Sequence, residues 1–149
     1  MRLALAIFAI TLLMLPVGNA PAQQNAPPTP RNIPIERQAT TIAIIPIKGE
    51  IDGSRWSGDS IMATSVKRRI NAAVRDGADM LVFEIDTPGG SVLAALDICR
   101  SIKQSGVANT VAWVEGDAIS AGAIISLACK HIIVNDPCIF GDAMPIGMT

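Results

Sequence analysis

Short apolar runs rich in β-branched residues alternate with stretches of helical periodicity, and this alternation limits the chain to few folds. Thr41 to Ile47, Met80 to Ile85, Val111 to Val114 and His131 to Val134 each read as strands. Ser60 to Arg75 reads as a helix, with Ile61, Ser65, Val66, Ile70, Ala73 and Val74 on its apolar face. Lys67, Arg68, Arg69 and Arg75 then face water, a solvated face rather than a binding patch. Val92 to Lys103 reads as a second helix, with Leu93, Leu96, Ile98, Cys99 and Ile102 at near-helical spacing. Gly77 and Gly106 stop the two helices. Strand, helix, strand in that order predicts a mostly parallel sheet with right-handed crossovers. Pro46 cannot donate to a ladder and suits an edge or strand-end position. Lys48 to Gly53 reads as a turn into a short second strand, and Ile139-Phe140 as one more strand or turn.

Two of the breaks after strands carry chemistry. Asp86-Thr87-Pro88-Gly89-Gly90-Ser91 ends the Met80 strand sharply. Paired glycines there allow positive φ and let a backbone approach a ligand closely, so their N–H groups could face a carbonyl oxygen. Gly-Gly alone also fits a simple tight turn. The second break is Gly116-Asp117-Ala118-Ile119-Ser120-Ala121-Gly122-Ala123, between the Val111 strand and an apolar helical run. Ser120 is a lone hydroxyl among small residues at a strand-to-helix turn, where helix amides favour developing negative charge. An acyl-transfer nucleophile needs that setting. A serine in this place also fits an ordinary helix N-cap.

Taken in order, Glu84-Ile85-Asp86-Thr87-Pro88-Gly89-Gly90-Ser91-Val92, Val111-Ala112-Trp113-Val114 and Ala118-Ile119-Ser120-Ala121-Gly122-Ala123 resemble the NfeD-like serine proteases of the ClpP class, relatives of signal peptide peptidase A. Ile139 to Pro145 is similar to a variant of that family's closing segment. The resemblance runs from about Thr41 to the C-terminus. It implies an α/β fold of the ClpP/crotonase type, a spiral of ββα units, here apparently cut short at the C-terminus. It implies peptide hydrolysis by a serine–lysine dyad without a cofactor or metal. Ser120 matches the nucleophile, Gly89 and Gly90 the oxyanion-hole region, and the Ala121 N–H a further donor. The implied substrates are hydrophobic stretches of membrane or exported proteins, with a stomatin-like partner, and the implied assembly is a homo-oligomer. The family's base lysine lies further downstream than Thr149.

The lysines in the chain are Lys48, Lys67, Lys103 and Lys130, and none matches that base. Lys130 lies roughly 15 Å from Ser120 if a helix joins them, at about 1.5 Å per residue. His131, the only histidine, reads as a surface or strand-edge residue, although a triad is recognised by geometry rather than spacing. Without a base the serine hydroxyl stays a weak nucleophile. Two alternatives therefore stand beside the protease: a non-catalytic truncated homologue or binding protein, and a crotonase-type acyl-CoA enzyme. Secretion and the serine at the motif position weigh against the second.

The N-terminus points to export. Arg2, the apolar run Leu3 to Leu15 and Ala20-Pro21-Ala22 fit a cleaved signal peptide over residues 1–22, with an uncleaved anchor as the alternative. The active domain is then periplasmic or membrane-associated. Residues 23–39 form a Pro/Gln-rich linker with little to bury, and residues 40–149 form the N-terminal part of the protease-like domain. Twelve basic and 13 acidic residues give no electrostatic case for nucleic acid. Three cysteines, Cys99, Cys129 and Cys138, leave open one disulfide with a free thiol, while Cys99 on a helical apolar face suits a small buried residue. One histidine and scattered cysteines make a poor metal site. Gly89-Gly90 lacks the remaining residues of a dinucleotide or phosphate-binding loop.

Overall fold

The computed structural model describes residues 38–53 and 61–144. The expected signal peptide, nearly all of the linker, Ser60 and Pro145 lie outside the described residues. Within them the elements run β1 (Ile42–Lys48), β2 (Ile51–Asp52), β3 (Ile61–Met62), α1 (Ala63–Arg75), β4 (Met80–Thr87), α2 (Val92–Lys103), β5 (Asn109–Ile119), α3 (Ala121–Leu127), β6 (His131–Val134) and β7 (Phe140–Gly141). The main sheet has the order β1-β4-β5-β6, with β7 also on β5, and every pairing is parallel. The strands β2 and β3 form a separate parallel pair.

The pleat decides which side chains are buried. Leu81, Phe83, Ile85 and Thr87 alternate along β4 on one face, and each is all but fully buried. Ile45 and Ile47 of β1 and Thr110, Ala112 and Val114 of β5 join them on that face. Against it lie Val66, Ile70 and Ala73 of α1, Ala94, Ala95, Ile98 and Ile102 of α2, and Ala121 and Ile125 of α3. The helices pack in sequence, α1 on α2 and α2 on α3. The opposite face of β1 carries Ile42 and Ile44, 54% and 60% exposed. Only one side of this sheet is thus covered by the described helices. Pro46 lies on β1, an edge strand, as its missing donor requires.

Several expectations need correction. The first helix starts at Ala63, because Ile61 and Met62 pair with Ile51 and Asp52 as β3. Its Val74 is exposed rather than on the buried face. In α2 the alanines replace the leucines in the core: Leu93 is 75% exposed and Leu96 39%, while Ala94 and Ala95 are buried. Small residues let α2 lie close between its neighbours α1 and α3. The strand expected at Val111 to Val114 runs on to Ile119. Gly116 and Asp117 read as a break, yet β5 irregularly resumes its pairing with β4 at Thr87↔Ala118. The basic residues of α1 do face water, and Arg69 also donates to the Pro46 carbonyl. The cysteines are all free thiols, so no disulfide forms.

Candidate active site

The two sequence motifs meet at the C-terminal edge of the sheet. The strand β4 ends in Thr87 and β5 ends one residue before Ser120, and the pairing Thr87↔Ala118 brings the two ends side by side. Gly89 then lies directly against the serine. A Cβ added at Gly89 would stand 2.7 Å from Ser120 Cβ and 3.3 Å from the Ala121 nitrogen. Any side chain at Gly89 would overlap the serine, and its φ of 104° is one that L residues rarely adopt.

The glycine turn is anchored on both sides. The buried Thr87 hydroxyl accepts the Gly89 N–H at 3.1 Å. Ile51 donates its N–H to the Gly89 carbonyl at 2.8 Å and accepts the Ser91 N–H at 2.7 Å, bridging Gly90 in parallel. A Cβ at Gly90 would come within 2.1 Å of the Ile51 carbonyl oxygen. The Gly90 N–H lies outside that bridge, because a parallel bridge uses the residues on either side of its centre. Ser91 caps α2, its hydroxyl accepting the Ala94 N–H at 3.4 Å.

Ser120 holds φ 52° and ψ −112°, outside the regions that non-glycine residues favour. It occupies the N-cap position of α3, yet its hydroxyl makes no capping hydrogen bond. The plain N-cap reading therefore fails, and Oγ is uncommitted. The Ser120 N–H donates to the Gly141 carbonyl at 2.8 Å. Ala121 opens α3, where the first N–H groups have no intrahelical acceptor. Gly122 lets α3 sit on β4, since a Cβ there would lie 2.5 Å from Thr87 Cγ2.

Sequence reasoning passed over four contributors to this edge. Thr87 orients the glycine turn, and the only trace in the sequence is a hydroxyl at a position whose alternation marks it as buried. Asp86 accepts the Asp117 N–H at 3.1 Å, and Asp117 accepts the Ile139 N–H at 2.9 Å. These carboxylates flank glycines and a strand end, but nothing in the spacing connects them. Gly141, in β7, supplies the acceptor for Ser120.

The basic candidates stand apart. Lys130 and His131 fall at the opposite end of β5: the Lys130 N–H bonds Thr110, and His131 pairs with Val111. Thr110 lies beside Leu81 and Ala118 beside Thr87, and the stretch from Leu81 to Thr87 spans roughly 20 Å at about 3.3 Å per residue. Neither side chain reaches Ser120 across that length. Lys48 bonds Glu115 at 2.5 Å and Glu84 at 2.9 Å. Those hydrogen bonds, Glu115 first, raise the lysine's pKa well above its ordinary value, the reverse of what a general base requires. The same contact with Lys48 lowers the pKa of Glu115. Lys67 and Lys103 are exposed on helices. Burial pushes the Cys129 thiol up to about 12 and raises Cys99 as well, so both stay protonated and inert. A cleft of about 320 Å³ beside His131, lined by Met80, Asn109, Val111, Ile132 and Ile133, also lies at the far end of β5.

A parallel sheet with helices on one face, and a glycine turn pressed against a serine at a strand–helix junction, define an α/β protein of the ClpP/crotonase type. The chain belongs to the family described as NfeD1b, N-terminal domain, which it matches over residues 41–149. Membrane protein NfeD1b of Bacillus subtilis is 33% identical over 101 residues, 68% of this chain and 21% of that protein. Two solved structures of the 1510-N membrane-bound stomatin-specific protease match with a TM-score of 0.62 each. One is a serine-to-alanine variant, 27% identical, covering 73% of this chain and 50% of its own. The other is a lysine-to-alanine variant in complex with a substrate peptide, 28% identical, covering 71% of this chain and 46% of its own. The chain thus spans about a fifth of that curated relative and about half of the solved chains.

Proposed function

We propose that this chain carries the nucleophile and oxyanion half of a serine endopeptidase. Ser120 Oγ attacks the scissile carbonyl carbon, and its proton passes to a base and then to the leaving amine. Water afterwards hydrolyses the acyl-enzyme. The N–H groups of Gly90 and Ala121 hold the oxyanion, and Gly89 supplies the room for the carbonyl to approach. The observation that carries this reading is the close approach of Gly89 to a strained serine whose hydroxyl caps nothing. Preorganised donors of this kind each contribute about 100- to 1000-fold in rate.

The base in this reading is a lysine beyond Thr149, in a longer form of the protein. The relative whose structure is solved as serine and lysine variants supports a serine–lysine dyad. Its description as stomatin-specific and membrane-bound supports hydrophobic segments of membrane or exported proteins as substrates, with a stomatin-like partner. The name of the Bacillus relative supports membrane association. The reading adds export through a signal peptide over residues 1–22, which leaves the domain periplasmic or at the membrane. Among the described residues no helix is long and apolar enough to cross a membrane.

A second reading, a non-catalytic peptide-binding module, is favoured by one observation: no free lysine or histidine among the described residues lies near Ser120. One experiment separates them. The 149-residue chain and a form extended through its native downstream frame are each incubated with an apolar peptide, with and without Ser120→Ala. Cleavage by the extended form alone, abolished by Ser120→Ala, is the expected result. Cleavage that survives Ser120→Ala refutes the nucleophile assignment, and binding without cleavage by either form favours the binding module.

A further inference from the structure

Building on Ser120 as the nucleophile, we infer that Asp117 is its positioning residue, acting through β7. The strand β7 has only two residues, and Ile139 and Phe140 around it are exposed. Little apolar burial holds it in place, so its polar contacts set its register. The first of these is the Asp117 carboxylate, which accepts the Ile139 N–H at 2.9 Å. The Ile139 carbonyl then accepts the Ala118 N–H at 2.8 Å, and two residues on the Gly141 carbonyl accepts the Ser120 N–H at 2.8 Å. Asp117 thus starts a short ladder whose last rung is the backbone of the strained serine.

Asp117 is itself held in place. Its N–H donates to Asp86 Oδ1 at 3.1 Å, and that carboxylate fills the space beside Gly116. A Cβ at Gly116 would stand 2.3 Å from the same oxygen. Asp86 therefore fixes the irregular stretch of β5 from which Asp117 projects. Ser120 adopts an unfavourable backbone conformation, and its N–H has the Gly141 carbonyl as acceptor. Such a conformation persists only where its surroundings over-determine it. Removing the Asp117 carboxylate leaves the Ile139 N–H to water, frees β7 to slip and releases the Ser120 turn. The displaced Oγ no longer meets a bound carbonyl, while the Gly90 turn, held by Ile51, keeps its place.

The test has two readouts. Amide hydrogen exchange on the 149-residue chain compares Asp117→Ala, Asp117→Asn and the native protein. Asp117→Ala is expected to speed exchange at Ser120 and Ile139 at least about tenfold, with α1 and β1 unchanged. Asp117→Asn keeps an Oδ1 acceptor and should stay near native. In the extended, active form Asp117→Ala should lower kcat about 100-fold with KM within about twofold, and Asp117→Asn should restore the rate. Native exchange at Ser120 in Asp117→Ala overturns the inference whatever the activity. Faster exchange across the whole chain in both variants also overturns it, by making Asp117 an ordinary folding residue. So does a native kcat alongside faster local exchange, provided Ser120→Ala is inactive. If Ser120→Ala still cleaves, the nucleophile reading fails, and exchange alone decides whether Asp117 holds Ser120.

Discussion

Replacing Ser120 by glycine should stabilise the fold, although serine is the residue on which the proposed chemistry depends. Its φ of 52° with ψ −112° lies where only glycine is at ease. A non-glycine residue held in such a region costs about 1–3 kcal/mol. Glycine removes that strain but adds freedom to the unfolded chain, at a cost of roughly 0.5–1 kcal/mol. The Ser120 hydroxyl makes no capping bond, so its loss subtracts little. The net gain for Ser120→Gly is about 0–2.5 kcal/mol, centred on about 1 kcal/mol and worth several degrees in melting temperature for a domain of this size. Ser120→Ala keeps the Cβ and the strain, and should lie within about 0.5 kcal/mol of the native chain. Urea unfolding with a shared slope gives the three midpoints directly. The expected order is glycine above serine and alanine, with both variants inactive in the extended form. A glycine variant no more stable than the alanine variant would refute the claim that Ser120 stores strain.

Three further outcomes follow from the same geometry. Gly90→Ala drives a methyl group into the Ile51 carbonyl, 2.1 Å away, at a φ of 139°. It should cost more than about 2 kcal/mol by urea unfolding and detach β2 from the glycine turn; a loss below that would show the bridge to be soft. Asp79 accepts N–H bonds from Thr40 and Thr41, which lower its pKa below 3.8. The stability it adds is present above that value and is lost as pH falls through the depressed one. The urea-midpoint gap between native and Asp79→Ala should therefore close below about pH 3.8, and a gap constant down to strong acid would refute the linkage. Ile42 and Ile44, exposed on the face of β1 away from the described helices, should drive self-association, so Ile44→Glu should lower the mass seen by sedimentation at high concentration. An unchanged mass would place any self-association elsewhere.

How much of this was legible depended on whether the signal was local. Strands β1, β4 and β6 could be read because each is a short run rich in apolar and β-branched residues, although helices cover only one face of the sheet. The helix α2 was placed correctly but its buried face was not. Leu93 and Leu96 outweigh Ala94 and Ala95 in any hydrophobicity count, yet the alanines are buried with Ile98 and Ile102 while the leucines are exposed. The strand β5 ran past its expected end because Gly116 and Asp117 look like a turn in isolation. They are held extended by Asp86, a residue far away in the chain. The glycine pair and Ser120 were recognisable as types. That Gly89 contacts Ser120, while Gly90 lies against Ile51, depends on pairings among β2, β4 and β5 that no local pattern encodes.

The same distinction explains why the serine edge and the basic residues separate so cleanly. In a parallel sheet every strand ends at the same edge, so the turns after β4 and β5 must converge there. A residue that begins the next strand must return to the opposite edge. Lys130 and His131 follow α3 and start β6, so the topology carries them away from Ser120, however short the intervening helix. A segment leaving β6 arrives back at the serine edge, as β7 does when its Gly141 carbonyl takes the Ser120 N–H. For Ser120 as the proposed nucleophile, the strand-and-helix alternation limits where a base can come from. It projects from a strand's C-terminal end or from the turn that leaves it, not from the turn that enters the next strand. Lys48, the last residue of β1, lies at that edge beside Asp86, and Glu84 and Glu115 hold its proton in place.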